Sequence, residues 1–264
     1  MSDIQLHTIE QRLAVPTYHF SGIPQIESVN FTNGSSDSRI LPRAVEFAAG
    51  PKGQVLWSAQ EVVAFRYAAL IAGQDGLDNA NKYQWTRTAS IYFKTAEGWH
   101  VAFDDIPGAR KNIVLAKAQE GYDSHKARGK FPLLMRNELV KAALKRAEKD
   151  DRIIAVPESR LELLTKPTDG QNSVAGNLHS NVILGYSSAL QAEFLSKKGY
   201  EKGYFYFLTL SDLEKMNLGK NQVEIRVVGL GDDDFDISSL DAINRFSSYG
   251  RAAGVVGAKK FQWK

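Results

Sequence analysis

Aspartates that could bind a metal ion are grouped in two places in the sequence. They are Asp104 and Asp105, and the run Asp232, Asp233, Asp234 and Asp236. Carboxylates held at two strand ends can bind two Mg²⁺ ions for phosphoryl transfer, as in nucleases and polymerases. One hypothesis is therefore a Mg²⁺-dependent nuclease or nucleotidyl-transfer enzyme. Its metal ligands would be Asp104, Asp105, Asp232 and Asp234.

A second hypothesis is that these aspartates do no chemistry. Acidic residues just before a helix stabilise its N-terminus, and residues 104–108 have the composition of an ordinary turn. The calcium-loop pattern fails because Ile237 stands where that pattern needs glycine. The sequence also lacks a nucleophile elbow, a phosphate-binding loop and a dinucleotide fingerprint. We therefore expect a protein without catalytic activity and without a cofactor, with Mg²⁺ bound only under the first hypothesis.

Positive charge is concentrated in one segment, residues 110–152. This segment holds twelve lysines and arginines against six acidic residues, whereas the rest of the chain has a small negative excess. Such a concentration attracts polyanions through phosphate contacts and counterion release. A solvated helix face beside a basic loop would have the same composition. The candidate nucleic-acid contacts of the segment are Lys126, Arg128, Lys130, Lys141, Lys145, Lys149 and Arg152.

Aromatic residues follow one another in the stretch from Lys202 to Phe207. Its order, a basic residue, a glycine and then aromatics, resembles the strand motif of RNA-recognition domains, where rings stack on bases. Because side chains alternate along a strand, Tyr204 and Tyr206 share one face and the phenylalanines lie on the other. The resemblance implies a stacking platform on the two tyrosines. Ordinary packing within a sheet is the alternative.

The helix that would carry the lysines is the clearest element of the sequence. Apolar residues repeat at spacings of three and four after Pro132, which predicts a helix over 132–150. The same periodicity gathers basic residues on one side of the helix. This stripe consists of Lys141, Lys145, Lys149 and Arg152.

Other local signals predict the elements around that helix. A capping box from Ser58 to Glu61 begins a helix over 59–72. Aromatic and β-branched runs around a glycine-containing turn predict a hairpin with strands over 88–94 and 99–104. Further strands are predicted over 153–156, 161–164, 181–186, 204–210 and 222–228, and further helices over 187–198, from Ser211, and over 238–249.

The predicted fold class is α+β, with a mixed or antiparallel sheet, packed helices and a loop-rich N-terminal third. The length of 264 residues suits one large unit, so we expect a single unit over 1–264. Residues 166–177 have the composition of a long loop and are the candidate internal boundary.

The amino-acid composition excludes several classes of protein. With 43% hydrophobic and 24% charged residues, the chain lies in the globular range. The absence of cysteine excludes disulfides, thiolate zinc sites and cysteine nucleophiles. No apolar run is long enough to span a membrane, and residues 1–16 do not have the pattern of a secretory signal. We expect a cytoplasmic protein that does not enter a membrane.

These observations favour a non-catalytic protein that binds nucleic acid. Single-stranded DNA or RNA is the preferred partner, because the candidate contacts combine aromatic rings with lysine and arginine. The metal-dependent enzyme is the alternative. A third possibility is a structural or assembly subunit of a larger particle, with a protein partner at the C-terminal tail, where Phe261 and Trp263 lie between lysines, or a second copy of the chain.

Overall fold

The computed structural model describes part of the chain. The described residues are 5–10, 17–21, 29–32, 39–40, 55–73, 84–106, 134–135, 138–159, 161–165, 178–185, 187–198, 202–219, 221–231, 239–244, 249–250 and 254–256. Side chains are described over most of 55–73, 84–106, 138–159, 181–198 and 206–231. These residues form strands and helices together, and the predicted α+β class is confirmed.

The described strands form three sheets. In chain order they are β1 (Gln5–Glu10), β2 (Thr17–Ser21), β3 (Val29–Thr32), β4 (Arg39–Ile40), β5 (Val55–Leu56), β6 (Gln84–Lys94), β7 (Trp99–Asp105), β8 (Leu134–Met135), β9 (Ile153–Ala155), β10 (Leu161–Thr165), β11 (Lys202–Tyr206), β12 (Gln222–Leu230), β13 (Ser239–Asn244), β14 (Tyr249–Gly250) and β15 (Gly254–Val256). The largest sheet has the order β10-β11-β13-β12-β6-β7-β9, with β8 beside β12. The others are β1-β2-β3-β15-β5 and β14-β4.

Five helices are described. They are α1 (Ala59–Ile71), α2 (Glu138–Lys149), α3 (Leu178–Leu184), α4 (Ser187–Lys198) and α5 (Leu210–Lys215). None of them is long and apolar enough to cross a membrane. Helix α1 is buried from Ala59 to Ala69, as expected for a helix enclosed by other elements on every side.

The centre of the large sheet is the hairpin of β6 and β7, with β12 on the other side of β6. All three strands are antiparallel to their neighbours in this group. Strands β6 and β12 are buried along almost their whole length, on both faces. The predicted hairpin and the predicted strand over 222–228 are therefore confirmed, although the alternation in β12 does not reflect a solvated face.

The large sheet must curl, because its two edge strands are joined by a short connection. Only residues 156–160 lie between β9 and β10, which are six strand spacings apart. A flat sheet would separate them by about 29 Å, whereas six residue steps reach at most ~21 Å. The rings of Phe103 and Phe207 accordingly meet across the sheet, with centroids 6.5 Å apart.

Several sequence predictions of local structure are wrong. Residues 181–186 were predicted as a strand, yet they lie largely in α3, because a short apolar run fits a buried helix equally well. Residues 238–249 were predicted as a helix, yet they contain β13, which fills the place between β11 and β12. The predicted helix over 132–150 begins later, at Glu138, and the capping residue of α5 is Thr209 instead of Ser211.

Candidate functional site

The chain connections are distributed unequally between the two ends of the large sheet. Strands β7, β10 and β12 finish at one end, where β6, β11 and β13 begin. We call this the loop end. The segments 74–83, 107–133, 166–177 and 232–238 each enter or leave the sheet there. At the opposite end lie the four-residue turn over 95–98 and the connection from β11 to β12, which contains α5.

Loops that bind ligands are commonly attached to a rigid scaffold. The residues that fix this end of the sheet would therefore determine where such loops are placed. Three buried arginines lie there, Arg66, Arg87 and Arg152, each at most 4% exposed. A buried charge is costly unless it is paired and hydrogen-bonded, so the bonds of each arginine indicate what it holds in place.

Arg87 of β6 joins three parts of the chain. Its guanidinium donates to both carboxylate oxygens of Glu61, to the carbonyl of Leu56 at 2.8 Å and to Asp105 at 3.0 Å. Burial alone would lower the pKa of Arg87, but the charges of Asp105 and Glu61 outweigh it and raise the pKa above the ordinary arginine value. Arg87 therefore stays charged and holds the end of β7 against α1.

Glu61 also belongs to the capping box of α1. The Ser58 hydroxyl accepts from the Glu61 backbone N–H at 3.2 Å, and the Glu61 carboxylate accepts from the Ser58 N–H. The Ala59 N–H donates to the Thr88 hydroxyl at 2.9 Å, which attaches the same helix end to β6. The capping box predicted from the sequence is confirmed, and the structure adds that its glutamate also neutralises a buried arginine.

Arg66 of α1 holds the end of β12. Its two terminal nitrogens donate to the carbonyls of Leu230 and Gly231, each at 3.3 Å. Gly231 is the last described residue before the acidic run that begins at Asp232. The departure point of segment 232–238 is thus attached to a buried helix.

Asp104 holds α2 and the start of β9 to the sheet. One of its oxygens accepts from Arg146 at 2.7 and 3.0 Å, and the other accepts from Arg152 at 3.2 Å. Arg152 also donates to Asp150 at 3.0 Å. Burial, together with the charge of Asp105, raises the pKa of Asp104 above the ordinary value, and the two arginines offset this only in part.

The predicted metal pair of Asp104 and Asp105 is not assembled. Neighbouring residues of a strand point to opposite faces, and here each carboxylate is bonded to arginine on its own face. Among the described residues no group of three potential ligands could hold a metal ion. Asp232 and Asp234, the other proposed ligands, lie outside the described part of the chain.

The basic stripe on α2 is divided by the fold. Lys141, Lys145 and Lys149 are exposed, and Lys141 pairs with Glu138 at 2.8 Å. Arg152 is only 4% exposed and bonded to Asp104, so it cannot continue the surface stripe, and this part of the prediction is wrong. The remaining candidates, Lys126, Arg128 and Lys130, belong to the segment 107–133, which the structure does not describe.

The tyrosines predicted to stack on bases lie on β11 in the interior of the sheet order. Tyr204 is opposite Leu163 and Ser239, and Tyr206, which is half-buried, is opposite Leu161 and Asp241. The side chains of Tyr204 and Phe205 are outside the described set. Phe207 is fully buried, but it lies beyond the end of the strand.

Sequence reasoning missed Arg66 and Arg87. Arg66 lies inside an apolar stretch of α1, and an arginine in such a stretch is a sequence signal of a buried, hydrogen-bonded side chain. Arg87 lies between Thr86 and Thr88, so no comparable signal marks it. Their partners could not have been found in the same way, because the contacts of Arg66 span more than 160 residues of sequence.

Comparison with known proteins identifies the fold. No family model matches the chain, and no curated protein matches its sequence. A solved structure from Nanoarchaeota, in which the C-type lectin fold accommodates massive sequence variation, is similar, with a TM-score of 0.59 at 12% identity. The similarity covers 86% of this chain and 97% of the other chain. The fold is therefore C-type-lectin-like.

This finding overturns the predicted nucleic-acid-binding function. The structural similarity points to a lectin-like fold and not to a nucleic-acid-binding one. The resemblance of residues 202–207 to an RNA-recognition strand was misleading, since β11 pairs in parallel with β13, which was predicted as a helix. A short aromatic strand suits the packing of many sheets, so it did not specify a function.

Proposed function

We propose that this protein is a binding protein that presents its ligand-binding residues on the segments at the loop end of its C-type-lectin-like sheet. The observation that carries the proposal is the set of buried arginines at that end. Arg66, Arg87 and Arg152 hold the ends of β12, β7 and the start of β9 through bonds to residues of the helices and strands. The points where the segments join the sheet are thereby fixed by the scaffold.

A scaffold of this kind permits its attached segments to differ in sequence. The similar structure from Nanoarchaeota is one in which the fold accommodates massive sequence variation. In this chain, such variation would be tolerated because the bonds that hold the loop end join residues outside the segments. Substitutions within a segment would then alter the ligand without altering the fold.

We propose a protein as the ligand. The loop end spans six strand spacings, about 29 Å along its curved edge. Because the sheet curls, the face enclosed by this edge is narrower than the edge is long, but four separate segments join the sheet around it. A partner that contacts several of these segments would form an extended interface of the kind found between proteins, which covers about 800 Å² on each partner, whereas small-molecule sites are smaller concave pockets.

The proposal is tested with a display library in which residues 232–236 are randomised. We expect most members to remain folded, and we expect binders to a purified test protein to be selectable from the library. The control is the same library built on an Arg66→Met background, where the end of β12 has lost its attachment and fewer members should fold. If randomisation of 232–236 unfolds most members on the natural background, the proposal is wrong.

A further inference from the structure

Helix α2 and strand β9 are attached to the large sheet through the same carboxylate. Asp104 of β7 accepts bonds from Arg146, which belongs to α2, and from Arg152, which comes just before β9. The two elements are consecutive in the chain and are joined by a turn in which Asp151 has a positive φ of 53°. The ion pairs therefore converge on one residue from two directions.

Apolar packing provides part of this attachment. The buried residues of α2 are Val140, Ala143 and Ala147, which are small, and Leu144, Ile153 and Ile154 are partly buried against the core. Since hydrophobic stabilisation scales with apolar area removed from water, partly buried side chains contribute less than fully buried ones. The bonds to the shared carboxylate add to what holds the two elements.

We propose that Asp104 is a latch shared by α2 and β9, so that loss of its charge frees both elements while the rest of the sheet keeps its fold. The charged groups around it are consistent with this role. Arg146 and Arg152 face Asp104, with Asp150 beside Arg152, whereas Asp105 faces Arg87 across the strand.

The latch lies at the loop end, but it holds α2 and β9 without a bound ligand. Segment 107–133 leaves the sheet two residues after Asp105. Release of β9 would remove the partner of β7 over His100–Ala102, whereas β6 would remain paired with β7 as far as Asp105.

Hydrogen exchange of the full chain, followed by mass spectrometry at neutral pH, tests the latch. In Asp104→Asn the two arginines lose their shared charge, and we expect exchange over 138–155 to accelerate by roughly tenfold or more. Peptides from α1 and β12 should exchange as in the natural protein. Arg146→Gln is the matched variant, because it removes the bonds of α2 and leaves the bond between Arg152 and Asp104. In Arg146→Gln, hydrogen exchange should accelerate in α2 and remain slow in β9.

Each other outcome overturns the proposal. Acceleration in α2 alone in Asp104→Asn would mean that β9 is held independently. No acceleration in either element would mean that the carboxylate does not hold them. Acceleration in every peptide would show that Asp104 supports the whole fold instead of a local unit. Equal acceleration of α2 and β9 in Arg146→Gln would show that β9 is held through α2 and not through the bond between Arg152 and Asp104.

Discussion

Asp104 and Asp105 are adjacent on β7, yet they bond to arginines on opposite faces of the sheet. Asp104 bonds to Arg146 and Arg152, and Asp105 bonds to Arg87. The pleat of the strand separates the two carboxylates although they are consecutive in sequence. As a result, one pair of residues that resembled half of a metal site instead connects β7 to α2 on one side and to α1 on the other.

Replacement of Arg87 should destabilise the protein strongly. Arg87→Met leaves the buried carboxylate of Glu61 without its charge partner, so we expect the free energy of unfolding to fall by about 3–5 kcal/mol. Urea denaturation followed by circular dichroism measures the change. Lys145→Met is the control, since Lys145 is exposed and its replacement should change stability by less than ~0.5 kcal/mol. A similar small change in Arg87→Met would contradict the role given to this ion pair.

Loss of the α1 cap should have a moderate effect. Ser58→Ala removes the acceptor of the Glu61 N–H, and we expect the free energy of unfolding to fall by about 1 kcal/mol. Urea denaturation followed by circular dichroism measures this change as well. Thr209→Ala removes the corresponding cap of the shorter helix α5 and provides the comparison. If Ser58→Ala has no effect, the capping box does not stabilise α1.

The raised pKa of Tyr67 should make the folded protein lose stability as the pH rises above 10. Burial and the bond to Glu193 raise the pKa of its phenol to about 12. The unfolded chain loses this proton near pH 10, before the folded protein does, so the contribution of Tyr67 falls as the pH rises from 10 to 12. Thermal unfolding across this range should show a steeper decline for the natural protein than for Tyr67→Phe. Parallel declines would show that the phenol is not perturbed.

Replacement of Asp232 and Asp234 by asparagine should not alter the fold. If Asp232 and Asp234 do not bind a metal, the double variant Asp232→Asn and Asp234→Asn should unfold at the same temperature as the natural protein, with or without Mg²⁺. Stabilisation of the natural protein by Mg²⁺ that the double variant lacks would instead support the metal hypothesis, because a metal bound only by the folded state stabilises it.

The elements that the sequence predicted well are those specified by nearby residues. The hairpin of β6 and β7 follows from strand-forming residues around the turn at 95–98, and the start of α1 follows from Ser58 and Glu61. The helix of residues 138–149 follows from its apolar spacing. Each of these signals acts within a few residues, so it can be recognised without knowledge of the fold.

Only the tertiary structure decided the remaining features. Residues 238–249 carry a capping pattern, yet part of them forms β13 because the sheet offers backbone bonds between β11 and β12. Arg152 appeared to continue a surface stripe, yet it turns inward to a carboxylate 48 residues away in sequence. Local patterns determine which bonds a residue can make, whereas burial and the positions of distant partners determine which of those bonds it does make.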